Sequence, residues 1–148
     1  TARCSCGALG CWNTAVDGPA LAARLGESDP DDVAAFTLEL LRRAVEARGP
    51  HRQVAHAAAD ALGRGLAGLV NGLDPAVVCL GGLAVDLRRA APERVDAAYR
   101  RGLMSSRRST PPPIVDGRLG EPGPLLGVAE HGFDALLTDH GLALWKQR

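Results

Sequence analysis

Aromatic side chains are scarce in this sequence: two Phe, two Trp and one Tyr make up 3% of its 148 residues. A well-packed core must therefore be built from Ala, Leu and Val. Lysine is scarcer still, since Lys146 is the only one among 17 basic residues. Net charge is lacking as well, because 17 acidic residues balance those 17 basic ones. Phosphate-backbone binding needs a basic excess or patch, so the balance argues against a nucleic-acid surface on bulk electrostatics. No stretch approaches the roughly 18–20 apolar residues of a membrane span. Thr1-Ala2-Arg3-Cys4 does not read as a signal peptide, because no apolar run follows the lone Arg. What remains is one globular domain with 46% hydrophobic and 23% charged residues, expected in the cytoplasm.

Helical signals dominate. Residues 17–26 read as a short helix after Asp17-Gly18-Pro19. Ser28 or Asp29 can cap the next one, with Pro30 at its first position and Asp31 and Asp32 in the first turn. Val33, Phe36, Leu40, Leu41 and Val45 repeat at helical spacing to about Arg48, and Gly49-Pro50 ends the run. From His51 to Leu73 one face carries Val54, Ala58, Leu62, Leu66, Leu69 and Leu73. A second stripe, Ala57, Ala61, Gly65, Gly68 and Gly72, is small. Either another element approaches it closely, or small residues fall there incidentally in an Ala-rich chain. Residues 76–80 read as a buried strand closed by Gly81-Gly82. Pro92 opens a helix with Val95, Ala98, Tyr99 and Leu103 inward. A polar and basic loop at residues 105–109, a short strand near Ile114-Val115, a turn at residues 120–123 and a helix from about Pro124 to Leu137 follow. The helix–strand–turn order favours a parallel α/β arrangement.

Two constellations stand out. Cys4, Cys6 and Cys11 give C-x-C-x4-C with Gly7 and Gly10 between them. A C-x-C pair is strained as a disulfide and a third thiol would be left over, so the spacing favours a tetrahedral metal such as zinc. A reduced, metal-free loop is the alternative. A fourth ligand is missing nearby: His51, His56, His131 and His140 are all distant in the chain. His51 and His56 are placed on a solvated helix face, and His131 and His140 on the surface. Cys79 reads as a small core residue. The second constellation is Gly81-Gly82 with the small Ala84 after it. Glycines at the carboxyl end of a strand let a ligand, often a nucleotide, approach the backbone, and equally serve as a plain turn. No residue is identified as a general base, and no nucleophile motif is present.

Taken together these features resemble the ROK family of repressors, open reading frames and sugar kinases. The run Cys4-Ser5-Cys6-Gly7-Ala8-Leu9-Gly10-Cys11 matches that family's C-x-C-G-x-x-G-C motif. Residues 65–82 resemble its helix and strand leading to a glycine pair, and Leu126-Gly127-Val128-Ala129 its final helix. The resemblance covers nearly the whole chain but only the C-terminal half of a family member. It implies an α/β fold, helix-rich, forming the C-terminal lobe of the actin-like (ribonuclease-H-like) ATPase superfamily. It implies a zinc-binding knot at residues 1–14, with the rest of the lobe at 15–148. Cys4, Cys6 and Cys11 would be zinc ligands, the fourth being a His upstream of this sequence. Gly81, Gly82 and Ala84 would lie on the adenosine-binding element. The phosphate loop, catalytic Asp and sugar-contacting Glu and His would also lie upstream, so no catalytic residue is expected in this chain. The cysteine cluster, crowded against the start, leads us to expect a piece of a longer protein.

One departure matters. Kinase members usually carry Glu two residues after the last cysteine, where it contacts a sugar hydroxyl, and here that position is Asn13. Asn can still hydrogen-bond a hydroxyl but loses a charge-assisted bond roughly twice as strong. The form Gly10-Cys11-Trp12-Asn13-Thr14 looks more like regulators of high-GC bacteria; the Arg-over-Lys usage fits a high-GC genome and says nothing of activity. The favoured reading is therefore the sugar-sensing and dimerising part of a ROK-type transcriptional regulator. Its ligand would be a sugar or sugar phosphate, and DNA would be met only through an absent N-terminal domain. The alternative is the C-terminal lobe of a hexose kinase using ATP and Mg²⁺.

Overall fold

The computed structural model describes residues 2–27, 30–120 and 122–145. Helices carry most of it. A cysteine-rich loop leads into α1 (Asn13–Val16), α2 (Gly18–Arg24), α3 (Val33–Glu46) and α4 (Pro50–Leu73). Strand β1 (Val78–Leu80) then leads through α5 (Leu83–Ala90), α6 (Pro92–Gly102) and α7 (Ser105–Arg108) to β2 (Ile114–Asp116). Helices α8 (Gly123–Leu136) and α9 (Asp139–Trp145) follow. The strands pair in parallel, with Val78 opposite Ile114 and Leu80 opposite Asp116. The parallel α/β expectation therefore holds, as a two-stranded sheet among the described residues.

The 24-residue α4 is the axis of the core. It packs against α1, α2, α3, α5 and α6. Val54, Ala58, Leu62 and Leu66 are buried along it, as the periodicity predicts, and so is Val70, which the sequence reading does not assign to that face. Leu69 and Leu73, expected on the same face, are exposed instead. Val95, Ala98, Tyr99 and Leu103 all point inward from α6 as expected. Tyr99 is only 2% exposed and its hydroxyl donates to the Pro112 carbonyl at 2.9 Å. That bond satisfies a buried hydroxyl and ties α6 to the approach of β2. Asn71 bridges α4 to the end of α6, donating to the Gly102 carbonyl and accepting from the Met104 N–H. Arg52 donates to the carbonyls of Ala44 and Val45, which α3 leaves unpaired at its end.

Small residues set how close α6 comes. A Cβ at Gly63 would lie 2.7 Å from Ala98 Cβ and 2.9 Å from Tyr99 N, and one at Gly102 would lie 2.7 Å from Ala67 Cβ. The small stripe is thus used selectively. Gly65 is filled by a neighbour, whereas Gly68 and Gly72 face open space. Gly63, off that stripe, marks the tightest contact between the two helices.

Several local expectations change. Ser28 and Asp29 lie outside the described residues. The observed cap of α3 is Asp32, whose carboxylate accepts from the Ala35 N–H at 2.9 Å, so the helix starts at Val33 and Pro30 precedes it. Val45 is exposed and Thr37 buried, its hydroxyl satisfied by the Val33 carbonyl. The strand expected at residues 76–80 shortens to three, and only Leu80 is buried. Cys79 is exposed rather than in the core. The side of β1 that carries Cys79 is not covered by the described residues. His51 and His56 are half-buried, not fully solvated, while His131 and His140 are exposed as expected. The basic loop at residues 105–109 contains one helical turn, α7. Helix α5 begins directly after the glycine pair, with Gly82 as its cap, where the sequence reads only as a turn. Helix α8 forms where expected, yet Leu125, Leu126, Val128 and Phe133 along it are exposed.

Gly63→Ala and Gly68→Ala are expected to differ in sign. Overpacking against the backbone of α6 costs about 1–3 kcal/mol at Gly63, whereas Ala at the open Gly68 favours the helix by about 0.5–1 kcal/mol. Thermal melts of the two variants beside the parent chain test this, with a lowered Tm for the first and an unchanged or raised Tm for the second.

Candidate functional site

The cysteine loop is organised by its own backbone. Arg3 and Leu9 form an antiparallel bridge, Cys4 N–H donates to the Ala8 carbonyl at 2.8 Å, and Gly10 N–H to the Ala2 carbonyl at 2.9 Å. Gly7 and Gly10 sit at φ of +90° and +75°, a region in which side chains are strained. Their spacing folds the chain back so that Cys4, Cys6 and Cys11 converge. The three sulfurs lie within 4.8 Å of one another, and Cys6 Sγ and Cys11 Sγ are 3.5 Å apart. A tetrahedral ion with metal–sulfur bonds of about 2.3 Å separates its sulfurs by roughly 3.8 Å, so the loop is close to the shape that such an ion needs.

The thiols also compete for protons. Hydrogen bonds from the Cys6 backbone and thiol hold Cys4 below its ordinary value. Cys11 is pushed up to about 11, first by its hydrogen bond to Cys6 and then by Cys4. Three thiolates at this spacing repel each other, and a bound cation removes that conflict. No fourth Cys, His, Asp or Glu joins the group among the described residues.

Asn13 is the first residue of α1, two positions after Cys11, and it is exposed. Its carbonyl accepts from the Asp17 N–H. Thr14 fastens the helix back to the loop, its hydroxyl donating to the Cys11 carbonyl at 2.6 Å. Trp12, between ligand and helix, has its indole against Gly65 of α4 and donates from Nε1 to the Ala61 carbonyl at 3.0 Å. Reading the sequence did not single out Trp12. Ala61 and Gly65 one helical turn apart were the available signal, but which ring would fill the slot was not legible.

The Gly81-Gly82 turn lies elsewhere. Gly82 adopts φ +53° and ψ −141° and caps α5. It joins the wall of a cleft of about 690 Å³ between α3, α5 and the segment after β2. Val33, Leu38, Leu83 and Val85 make its apolar side, and Asp86, Arg89 and Arg118 its polar rim. That volume is in the range of small-molecule sites. Gly81 and Ala84 do not line it, and Ala84 packs towards the core instead. Asp116 accepts from Arg88 at 2.8 Å and lies 3.7 Å from Arg89, fixing two arginines of α5 to the end of β2. This pair spans 28 residues, so no local pattern announces it. The structure thus brings the three cysteines together, sets Asn13 beside them, and holds Gly82 in a separate cleft that Asn13 does not line.

Comparison with known proteins follows the same outline. The model of the ROK family matches residues 1–131. The crystal structure of a ROK hexokinase from Thermus thermophilus superposes with a TM-score of 0.64 at 34% identity, over 85% of this chain and 41% of the hexokinase. The chain therefore spans less than half the length of that enzyme. No curated protein matches the sequence.

Cobalt(II) titration tests the metal centre directly. One equivalent is expected to produce a thiolate-to-metal charge-transfer band, absent or much weakened in Cys6→Ser and unchanged in Cys79→Ser. Because the ligands must lose protons to bind, affinity should fall as the pH is lowered.

Proposed function

The chain belongs to the ROK family, and on that premise we propose that it is the sugar-sensing, dimer-forming C-terminal lobe of a ROK-type transcriptional regulator. Asn13 carries the reading. It stands at the start of α1, next to the cysteine loop, where kinase-type members would present a carboxylate. An amide there can donate to one sugar hydroxyl and accept from another, which suits recognition. It supplies no charge to hold a hydroxyl for phosphoryl transfer. In this reading a sugar or sugar phosphate lies over α1. The lobe is an actin-like half, and a homodimer carries its state to DNA through a domain outside this chain. The neutral charge of the lobe fits that division.

The cysteine loop is a zinc-type donor set. Cys4, Cys6 and Cys11 would hold the ion, with the fourth position filled by water or by a residue beyond this chain. Zinc would neutralise the thiolates and cross-link the loop, a structural role. Cys11 then has a fixed place, and through its carbonyl so does Thr14 in α1.

A second reading has its own support, since the superposed relative is a hexokinase and Gly82 opens onto a cleft with apolar walls and a polar rim. Apolar walls with a few polar groups suit a small-molecule ligand such as a nucleoside. In that case Gly81, Gly82 and Ala84 belong to the adenosine-binding element of an ATP- and Mg²⁺-dependent hexose kinase, with the attacking hydroxyl activated from the other lobe.

Coupled ATP turnover by the intact protein against a panel of hexoses separates the two. The regulator reading expects sugar binding in calorimetry without turnover. Turnover with any hexose would transfer the assignment to the kinase. Elemental analysis should find one zinc ion per chain, and a freshly purified, chelator-free sample with none would remove zinc from the assignment.

A further inference from the structure

Trp12 is the residue between the metal-type ligand Cys11 and Asn13, and its geometry has a use beyond both. Among the described residues, its Nε1 bond to the Ala61 carbonyl is the only hydrogen bond joining residues 2–12 to the chain beyond Ala15. The indole rests where any side chain at residue 65 would have stood. A Cβ on Gly65 would clash with the ring, 2.6 Å from Nε1. The slot therefore admits a flat ring only because residue 65 is glycine. The backbone of Trp12 is committed at the same time. Its dihedrals are already helical (φ −58°, ψ −39°), and its carbonyl accepts from the Ala15 N–H at 2.9 Å to begin α1.

We propose that Trp12 is a positioning residue, a latch that seats the cysteine loop and the first turn of α1 on α4 and so sets where Asn13 presents its amide. Two links make the connection. The Cys11 carbonyl holds the Thr14 hydroxyl at 2.6 Å and its N–H at 3.1 Å, so whatever fixes Cys11 fixes the turn. The indole then fixes that turn to the longest helix of the core. Without the ring, the loop keeps its own backbone bonds and its three sulfurs, but the loop and α1 move together relative to α4. Metal binding and the placement of Asn13 are thus separable, with Trp12 needed for the second only. The sugar-binding arm of this proposal rests on the reading of the lobe as a sugar sensor; the latch itself does not.

Hydrogen exchange by NMR on the full chain tests the latch, using Trp12→Ala, Trp12→Phe, Gly65→Ala and the Trp12→Ala/Gly65→Ala double variant. Amides of Ala15 and Asp17 report α1, and those of Val95 and Tyr99 report the core. Trp12→Ala and Gly65→Ala should each speed exchange in α1 about tenfold or more while the core amides stay protected. The double variant should match the single ones, because each removes the same contact. Trp12→Phe should fall between, since it keeps a ring and loses the donor. Cobalt(II) stoichiometry should be unchanged throughout. Unchanged α1 exchange in Trp12→Ala, additive effects in the double variant, equal acceleration in the core, or loss of metal binding would each overturn the latch. In the intact protein, hexose affinity should fall at least fivefold in Trp12→Ala and recover in part in Trp12→Phe. Faster α1 exchange with unaltered affinity would overturn the positioning of Asn13. A parent protein that binds no hexose would instead remove the sugar-sensor reading and leave the latch to be judged on exchange.

Discussion

Close approach to α4 is the constraint on which the rest of this structure depends. With five aromatic residues in 148, Tyr99 is the only aromatic ring fully buried in the core among the described residues. The core is filled by bringing backbones together. Gly63 lets α6 lie against α4, Ala67 meets Gly102, and Gly65 receives the indole of Trp12. Dispersion falls steeply with separation, so a core of Ala, Leu and Val coheres only where the helices are this near. The cost is that Gly weakens a helix by about 1 kcal/mol relative to Ala. The glycines at these contacts have packing to offset that cost; Gly68 and Gly72 do not.

The cysteine loop obeys a different logic. Its shape comes from a few backbone hydrogen bonds and two glycines with positive φ, all within residues 2–11. Little of it depends on the core. Its three sulfurs lie within 4.8 Å of one another, close enough to disturb one another's protonation and to share one ion. What the core contributes is a place to stand, through one indole. The cleft beside Gly82 is the opposite case. Its walls come from α3, α5 and the segment after β2, and no single stretch of sequence describes it.

Legibility follows the same division. The C-x-C-x4-C spacing points to a metal because the donors are close in the chain. The inward face of α6 is legible from periodicity, and Val95, Ala98, Tyr99 and Leu103 are all buried. The start of α3 is misplaced because several residues in a row can cap, and the carboxylate of Asp32 reaches the Ala35 N–H. Cys79 is misjudged because an apolar run reads as buried on both faces, whereas burial depends on how many layers cover the sheet. The exposed residues of α8 make the same point, since periodicity defines an apolar face and leaves its partner unspecified.

By itself the sequence determined the local features: the cysteine loop, most helix positions, and membership of a family through a motif eight residues long. Each is governed by interactions within a turn or two of chain. Tertiary structure alone decided that Trp12 belongs to Gly65, that Asp116 holds two arginines of α5, and that Gly82 rather than Gly81 faces a cleft. The first two join residues 27 to 53 apart, and the cleft draws its lining from Gly18 to Gly120; their energies depend on distances in space that sequence spacing does not encode.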